Sequence, residues 1–323
     1  MSKLKQLLSL SVGIIMILGM LYLVGIEKFI SAISTANTSL ILLASILYLI
    51  TFPLRGLVVY KVLGKYKNQA GLINSIKTVY VGQFTNMILP SRLGDIARSL
   101  YLKKKCDIPM RIAVPNVILD RLWDLIGIIS VAIIAIILNP SLIQQSESIT
   151  VILSALLIII IFLIIKNLHR ILKLMKPLIK KLTKSFKIKS KLDNLEQDVM
   201  TYIKEITSDK KLTIELLIIS TILWFIECLT AYIIFSALNY NIDITIVLSV
   251  ITIANLSKVL PTTPQGIGTY EAAVVLLFGY FGIASEIALT VAIIDHLIKN
   301  IITVSMGLFV MSDMQEIIKN LRN

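Results

Sequence analysis

The sequence predicts an all-α, polytopic integral membrane protein, on the basis of its composition, the length of its apolar runs and the placement of its basic residues. Hydrophobic residues make up 56% of the 323 residues, and the mean hydropathy of +0.86 is too high for a soluble domain. A helix needs about 20 apolar residues to cross a hydrocarbon core of roughly 30 Å. The apolar runs of this chain reach that length repeatedly, so most of it is expected to lie in a membrane.

Six runs are predicted to cross the membrane, and three shorter runs are predicted to enter it without crossing. The predicted spans are residues 7–24, 40–60, 112–138, 149–165, 212–238 and 287–311. The first span follows Lys3 and Lys5 but lacks a small-residue cleavage pattern, so we interpret it as a retained anchor. The three shorter runs are residues 73–89, 244–260 and 269–281, and each is short or broken by Pro or Gly. They predict two re-entrant, broken hairpins.

The basic residues predict the orientation of the chain in a cell membrane. The net charge is +13, and Lys and Arg gather in segments such as 92–111 and 166–211, whereas 139–148 and 239–245 contain none. Basic loops face the cytoplasm, so both termini are expected there. Segment 166–211 alternates basic with apolar residues and is interpreted as a solvated linker or as a contact for an anionic leaflet. Membrane topology therefore explains the charge without a nucleic-acid partner.

Cysteine and histidine are too scarce for several kinds of site. The chain has two cysteines, Cys106 and Cys228, and two histidines, His169 and His296. This number excludes a disulfide framework and a multi-histidine metal site. We expect no cofactor and no metal.

Two halves of the chain can be aligned from residues 40 and 212. Each half begins with a full span, continues into a short run that ends in Leu-Pro, and finishes with another full span. The matched landmarks are Leu89-Pro90 with Leu260-Pro261, Asp120-Arg121 with Asp295-His296, and Arg55 with Glu227. Because an odd number of crossings separates the two starts, the second half is expected to be inverted, as in many secondary transporters. The alternative is that Leu-Pro is a common dipeptide and that hydrophobic hairpins resemble one another.

This alignment predicts how a single transmembrane domain is divided. The parts are an N-terminal anchor (1–39), a first repeat (40–138), a connecting span with the basic linker (139–211), a second repeat (212–311) and a cytoplasmic tail (312–323).

Charged residues inside the predicted spans indicate either a packing cluster or a polar cavity. An ionised group at the centre of a membrane helix costs about 2.5–3.5 kcal/mol, so Asp120, Arg121 and Asp124 must pair with other groups or face water. One reading is an internal ion-pair cluster that fixes helix packing. In the other, broken helices surround a midplane cavity with their N-termini, and Arg92 and Arg98 contact an anionic headgroup.

Several other residues also have two open readings. Asp95 would cap a helix after the turn at Pro90, and Gly266 with Gly268 would relieve the backbone of a tight turn, whether or not these residues also bind a substrate. Glu227 and Glu271 would either carry a coupling proton or pair with Arg55 or Lys258. His296 is read as a structural hydrogen-bonding residue in preference to a proton relay.

Three motifs in order resemble the flippase-like transmembrane region of lysylphosphatidylglycerol synthases. They are residues 86–98 (NMILPSRLGDIAR), 120–124 (DRLWD) and 260–271 (LPTTPQGIGTYE), and the resemblance covers roughly residues 7–311. The family pattern often has Pro-Gly-Gly before the second glutamate, where this chain has Pro264-Gln265-Gly266. The resemblance implies a membrane module that translocates lipids or lipid-linked sugars, found alone or fused to soluble enzymatic domains. Aminoacyl transfer belongs to such a separate soluble domain, which we do not expect here, so synthase activity is not carried over.

The leading hypothesis is a flippase-like transporter that moves a phospholipid or a polyprenyl-phosphate-linked glycan between leaflets. Alternatives are a membrane enzyme or accessory subunit acting on a lipid-linked sugar, with Asp95 or Glu271 as base, and a small-solute permease. The sequence is compatible with an oligomer. No catalytic residue is assigned, and the expected substrate-binding residues are Arg92, Asp95, Arg98, Asp120, Arg121, Asp124, Gly266, Gly268, Glu271 and Asp295.

Overall fold

The computed structural model describes residues 18, 22, 26–88, 93–142, 201–257 and 263–322, and these ranges contain helices and turns but no strand. The predicted span 149–165, most of span 7–24, most of the basic linker and Arg92 lie outside the described residues. The helices with defined bounds are α1 (Ile26–Ser34), α2 (Thr38–Val62), α3 (Lys67–Ile88), α4 (Leu93–Cys106), α5 (Met110–Leu138), α6 (Lys210–Ala237), α7 (Ile244–Ser257), α8 (Thr269–Tyr280) and α9 (Ser285–Arg322).

Four of these helices are long and apolar enough to cross a membrane: α2, α5, α6 and the Ser285–Met311 part of α9. They correspond to the predicted spans 40–60, 112–138, 212–238 and 287–311, which are thereby confirmed as continuous apolar helices. Pro53 lies inside α2 and Pro115 inside α5, and neither ends its helix. The all-α fold class is confirmed for the described residues.

Side-chain caps fix the starts of two of the long helices. Asn37 accepts hydrogen bonds from the backbone N–H groups of Ser39 and Leu40, at 3.0 and 3.3 Å, where α2 begins. Asp209 accepts one from Leu212 N at 3.0 Å at the start of α6. Each cap satisfies N–H groups that have no partner within the helix, which explains why the chain turns into a helix there.

The shorter helices form two pairs, which we call the broken pairs. Helices α3, α7 and α8 overlap the predicted short runs, whereas α4 lies in the basic segment 92–111 that was expected to be cytoplasmic. That these pairs enter the membrane without crossing it stays a prediction. Helix α3 packs against α4, and α7 packs against α8. The turn before α8 holds Gln265, Gly266 and Gly268 at φ values of 53°, 80° and 83°, a region that glycine enters without steric cost. Gln265 Nε2 donates to Gln83 O of α3 at 3.2 Å, so the second break contacts the first broken pair.

The long helices approach one another closely where side chains are small. Helix α6 packs along both α2 and α5. A Cβ atom added at Gly127 of α5 would lie 2.6 Å from both Ser220 O and Trp224 Cδ1 of α6. Glycine at such a contact lets two membrane helices approach until their backbones touch.

Asp243, in the loop before α7, carries a prediction on stability and its pH dependence. Its Oδ1 accepts hydrogen bonds from Thr245 N at 2.8 Å and Thr245 Oγ1 at 2.7 Å. These bonds lower the pKa of the Asp243 carboxyl below its ordinary 3.8, because they stabilise the charged form. Asp243→Ala is expected to lower the free energy of unfolding by about 1 kcal/mol, as for other N-cap losses.

The pH dependence of this contribution follows from the direction of the shift. The folded state binds the proton of Asp243 less tightly than the unfolded state does, so the contribution is present above pH 3.8 and is lost as the pH falls through the lower folded pKa. Thermal unfolding in detergent from pH 7 to pH 3 should show the two proteins converging at the acid end. A difference that grows toward acid pH would contradict this account.

Candidate functional site

Seven charged side chains form one continuous chain of ion pairs through the helices, with alternating sign. We call it the ion-pair chain. It joins α4, α5, α2, α6 and α9, and so includes the four helices that are long enough to cross a membrane among the described residues. Its members, in order of contact, are Asp95, Arg121, Asp124, Arg55, Glu227, Lys299 and Asp295.

The first part of the ion-pair chain lies between α4 and α5. Arg121 points Nε and Nη2 at Asp95 Oδ1, at 3.1 and 2.6 Å. Its Nη1 lies 3.3 Å from Asp124 Oδ2. Asp124 Oδ1 in turn accepts from Arg55 Nη1 of α2 at 2.6 Å. Every nitrogen of the Arg121 guanidinium is therefore engaged by a carboxylate.

The second part crosses from α2 to α6 and α9. Arg55 Nη2 donates to Glu227 Oε1 at 3.1 Å. Lys299 Nζ lies 2.9 Å from both Glu227 Oε2 and Asp295 Oδ2, as ion pairs without good hydrogen-bond alignment. The Tyr270 hydroxyl donates to Asp295 Oδ2 at 2.8 Å. One ammonium group thus bridges two carboxylates on different helices.

Aromatic rings surround the two cations at the centre of the chain. The Arg55 guanidinium lies 5.5 Å from the ring centroid of Trp224. Lys299 Nζ lies 5.6 Å from the ring of Tyr48 and 6.0 Å from that of Tyr270. Rings at these distances attract a cation through their electron-rich faces, so they stabilise the charged forms of both residues where water is scarce.

Arg98 and Asp120 form a separate buried pair beside the ion-pair chain. Arg98 Nη1 donates to Asp120 Oδ2 at 2.6 Å, and Arg98 is only 2% exposed. Its Nε and Nη2 have no hydrogen-bond partner among the residues that the structure describes. A charged donor edge is therefore buried with no acceptor from any described residue.

Glu271 and His296 form a third polar contact, at the start of α8. Glu271 Oε2 accepts from Gly268 N at 2.7 Å, and its Oε1 lies 2.5 Å from His296 Nδ1. The carboxylate thus caps the helix end where the partial positive charge of the helix dipole lies. His296 Nε2 is buried, and no partner for it lies within the described ranges.

The structure brings together most of the residues that the sequence singled out. Asp95, Arg121, Asp124 and Asp295 lie in the ion-pair chain, Arg98 pairs with Asp120, and Gly268 contacts Glu271. Gly266 shapes the turn before α8, and Arg92 lies outside the described residues. Glu227 pairs with Arg55, which is one of the two readings that the sequence left open for it. The partner of Glu271 in the described residues is His296. Whether these residues bind a substrate stays a prediction.

Five residues that make polar contacts in the site were absent from the predicted substrate-binding set: Arg55, Glu227, Tyr270, His296 and Lys299. Two signals in the sequence could have found three of them. Arg55 and Glu227 occupy matched positions with opposite charge in two apolar spans. Lys299 follows Asp295 by four residues, a spacing that places two side chains on one face of a helix. Nothing in the sequence singles out Tyr270 from other aromatic residues.

The ion pairs fall at matched positions in the two aligned halves, with the signs reversed. Four residues after the matched Asp120 and Asp295 stand Asp124 and Lys299. Asp124 pairs with Arg55 in the first half, and Lys299 pairs with Glu227 in the second. The Arg55–Glu227 pair then joins the two halves. The division into repeats stays a prediction, but these contacts are the ones that an inverted repeat would produce.

The chain matches the family described as the lysylphosphatidylglycerol synthase TM region over residues 6–307. It belongs to this family. The match covers nearly the whole range of the resemblance drawn from the three motifs. Together with the four long apolar helices, it makes the chain a multi-pass membrane protein.

Three relatives of this family member illustrate its similarity to known proteins. A UPF0104 membrane protein of Methanocaldococcus jannaschii is 32% identical over 224 residues, 67% of this chain and 88% of that protein. A second UPF0104 membrane protein of the same organism is 25% identical over 95% of this chain and 94% of its own length. Glycosyltransferase AglD of Haloferax volcanii is 23% identical over 87% of this chain but only 50% of its own length, so this chain spans about half of that relative.

Proposed function

We propose that this family member is a flippase-like transporter that moves a phospholipid or a lipid-linked glycan between the leaflets of a membrane. The observation that carries the proposal is the ion-pair chain, because it links the four described helices that are long enough to cross a membrane through charged groups at their interfaces.

A contribution to stability does not by itself explain why the protein has the ion-pair chain. Replacing a buried ion pair by apolar residues of similar size is often neutral or stabilising, because both charges lose their hydration on burial. Ionised residues within membrane helices are rare and mark substrate or ion pathways. A lipid needs such a pathway for its polar headgroup, since its acyl chains can remain in the hydrocarbon.

The comparisons support a lipid substrate over a water-soluble solute. The matching family is described by a phospholipid synthase, and one relative carries the name of a glycosyltransferase. A hydrogen bond from Gln265 to Gln83 joins the two broken helix pairs. Many secondary transporters bind their substrates at interrupted helices, which supports the proposal.

The second candidate is a membrane module that serves an enzyme acting on a lipid-linked sugar, and the name of the Haloferax relative favours it. The contacts of the two candidate bases, Asp95 and Glu271, argue against catalysis by this chain itself. Asp95 is held by the Arg121 guanidinium, and both oxygens of Glu271 are engaged. Turnover of a labelled lipid-linked sugar donor by the purified protein, lost in Glu271→Gln, would favour the enzymatic candidate over transport.

Glu227→Gln is the substitution that tests transport. The amide keeps the size of the side chain but removes the negative charge between Arg55 and Lys299. In liposomes of phosphatidylcholine with a trace of fluorescent phosphatidylglycerol, the wild-type protein should move the probe to the inner leaflet, where dithionite cannot reach it. The variant should lower that rate about tenfold, or about 1.4 kcal/mol of barrier.

Glu215→Gln is the matched control, because it makes the same change in the same helix. Glu215 pairs with Lys61 at 2.7 Å, but its side chain is 37% exposed. Its rate should equal that of the wild type. If folded, monodisperse Glu227→Gln protein moves lipid at the wild-type rate, the ion-pair chain serves packing only. Failure of the wild-type protein with phospholipid and lipid-linked glycan probes alike would refute the transport proposal.

A further inference from the structure

Arg98 differs from the other two arginines that lie among the helices near the site. Arg55 divides its two terminal nitrogens between Asp124 and Glu227, and Arg121 has all three nitrogens engaged. Arg98 uses Nη1 alone, for Asp120. Across the ranges that the structure describes, nothing accepts a hydrogen bond from its Nε or Nη2.

The two unused nitrogens form one edge of the guanidinium. The N–H bonds of Nε and Nη2 are nearly parallel, so this edge fits two oxygens of one planar or tetrahedral oxyanion. Arg121 shows the occupied form of the same edge in this molecule. Its Nε lies 3.1 and 3.3 Å from Asp95 Oδ1 and Oδ2, and its Nη2 lies 2.6 Å from Oδ1.

The side chain of Arg98 is held in place, so the free edge has a defined position. Asp120 binds Nη1 at 2.6 Å from one side. Gly82 of α3 lies against the aliphatic part, where an added Cβ would overlap Arg98 Cδ and Cγ. Thr85, one turn further along α3, has a buried hydroxyl that also has no partner among the described residues. A buried charged donor left without an acceptor destabilises a protein, which is the condition that a bound anion would relieve.

We propose that the Nε–Nη2 edge of Arg98 binds a phosphoryl oxyanion of the transported lipid. This group is the phosphodiester of a phospholipid or the phosphate that links a glycan to its lipid. This inference rests on the proposed function, which supplies the lipid. The guanidinium favours a phosphoryl group because it offers two fixed, charge-assisted hydrogen bonds, whereas an ammonium group offers a single point charge. Asp120 then acts as a positioning residue that orients the guanidinium without touching the anion.

The test is a binding titration with the full chain in a maltoside detergent. The probes are dihexanoyl phosphatidylglycerol, dihexanoylglycerol, which has the same acyl chains but no phosphate, and inorganic phosphate. Isothermal titration calorimetry should show the phospholipid binding at least about tenfold more tightly than dihexanoylglycerol. Arg98→Lys keeps the charge but removes the paired donors, and should weaken phospholipid binding about tenfold. Arg111→Lys, the same substitution at an exposed position, should leave it unchanged.

Gly82→Ala provides a second variant if Arg98→Lys does not fold. It leaves every charge in place, but its Cβ would displace the Arg98 side chain, so phospholipid binding should weaken here as well. Wild-type affinity in a folded Arg98→Lys variant would overturn the proposal. Equal affinity of the wild type for the phospholipid and dihexanoylglycerol would overturn it too, and so would binding of inorganic phosphate alone.

The liposome assay separates this inference from the proposed function. If lipid moves but Arg98→Lys binds the phospholipid normally, transport stands and the Arg98 contact is refuted. If the phospholipid binds through Arg98 but no lipid moves, the anion site stands and the transport proposal fails.

Discussion

Arg55→Met should destabilise the protein by about 3–5 kcal/mol, the usual effect of removing one partner from a buried ion pair. The substitution leaves the carboxylates of Asp124 and Glu227 without the cation that lies between them. Asp124 keeps Arg121 and Glu227 keeps Lys299, but the ion-pair chain is left with two more negative than positive charges in a largely buried place. Chaotrope-induced unfolding in detergent, followed by tryptophan fluorescence, measures the change in free energy of unfolding.

Two further variants test whether the loss of stability comes from the charge of Arg55. Lys61→Met also removes a cation, but from the more exposed pair with Glu215. It should lower the free energy of unfolding by at most about 1 kcal/mol. Combining Arg55→Met with Asp124→Asn and Glu227→Gln removes the excess negative charge, while Arg121 keeps Asp95 and Lys299 keeps Asp295. This triple variant should recover most of the stability lost in Arg55→Met. Equal loss in Arg55→Met and Lys61→Met would show that the central pair is no better buried than the outer one.

Gly94→Ala is expected to have the largest steric effect, because it inserts a methyl group between two backbones. A Cβ atom at Gly94 of α4 would overlap the Gly82 carbonyl oxygen of α3 and approach the Asn86 side chain to 2.6 Å. Gly94 N also donates to Asn86 Oδ1 at 2.8 Å. The carbonyl belongs to a helix and cannot rotate away, so α3 and α4 must separate. We expect a loss of about 1–3 kcal/mol or more, typical of overpacking.

Gly279→Ala makes the same change at an open position. It lies on an exposed part of α8, and nothing lies within 4 Å of an added Cβ. Because alanine favours helix more than glycine does, this control should be neutral or stabilise the protein by up to about 1 kcal/mol. The thermal unfolding midpoints of both variants in detergent provide the comparison. A Gly94→Ala midpoint at or above that of Gly279→Ala would mean that α3 and α4 are not in close contact.

The long helices were predictable because apolar length alone determines them. Residues 40–60 and 212–238 needed no knowledge of their neighbours, and the observed helices Thr38–Val62 and Lys210–Ala237 differ from these bounds by at most two residues. The short helices α3, α7 and α8 overlap the runs that were predicted from Pro and Gly, residues that disfavour a continuous helix. Helix α4 was not predicted as part of a hairpin, because its basic residues indicated a cytoplasmic segment.

The partners of the charged residues could not be predicted in the same way. The sequence required Asp124 to have a partner, and Arg121 lies three residues away, but its second partner, Arg55, lies 69 positions away and is fixed by the packing of α2 against α5. Arg98 and Arg121 were both expected to contact a headgroup, and no local feature distinguishes them. Only the arrangement of the helices shows that Arg121 is saturated by Asp95 and Asp124, whereas one edge of Arg98 has no acceptor within the part of the chain that the structure describes.

The reversed signs at matched positions restrict how the two halves can associate. Under the predicted alignment, Arg55 and Glu227 contact each other as equivalent residues do across a two-fold axis. Two copies of the first half would place arginine against arginine there, and two copies of the second would place glutamate against glutamate. Like charges buried at such a contact repel each other by several kcal/mol, on the order of the penalty used against wrong partners at interfaces. If the predicted repeat holds, this contact relates matched positions of opposite charge, and it would favour the pairing of unlike halves over self-association.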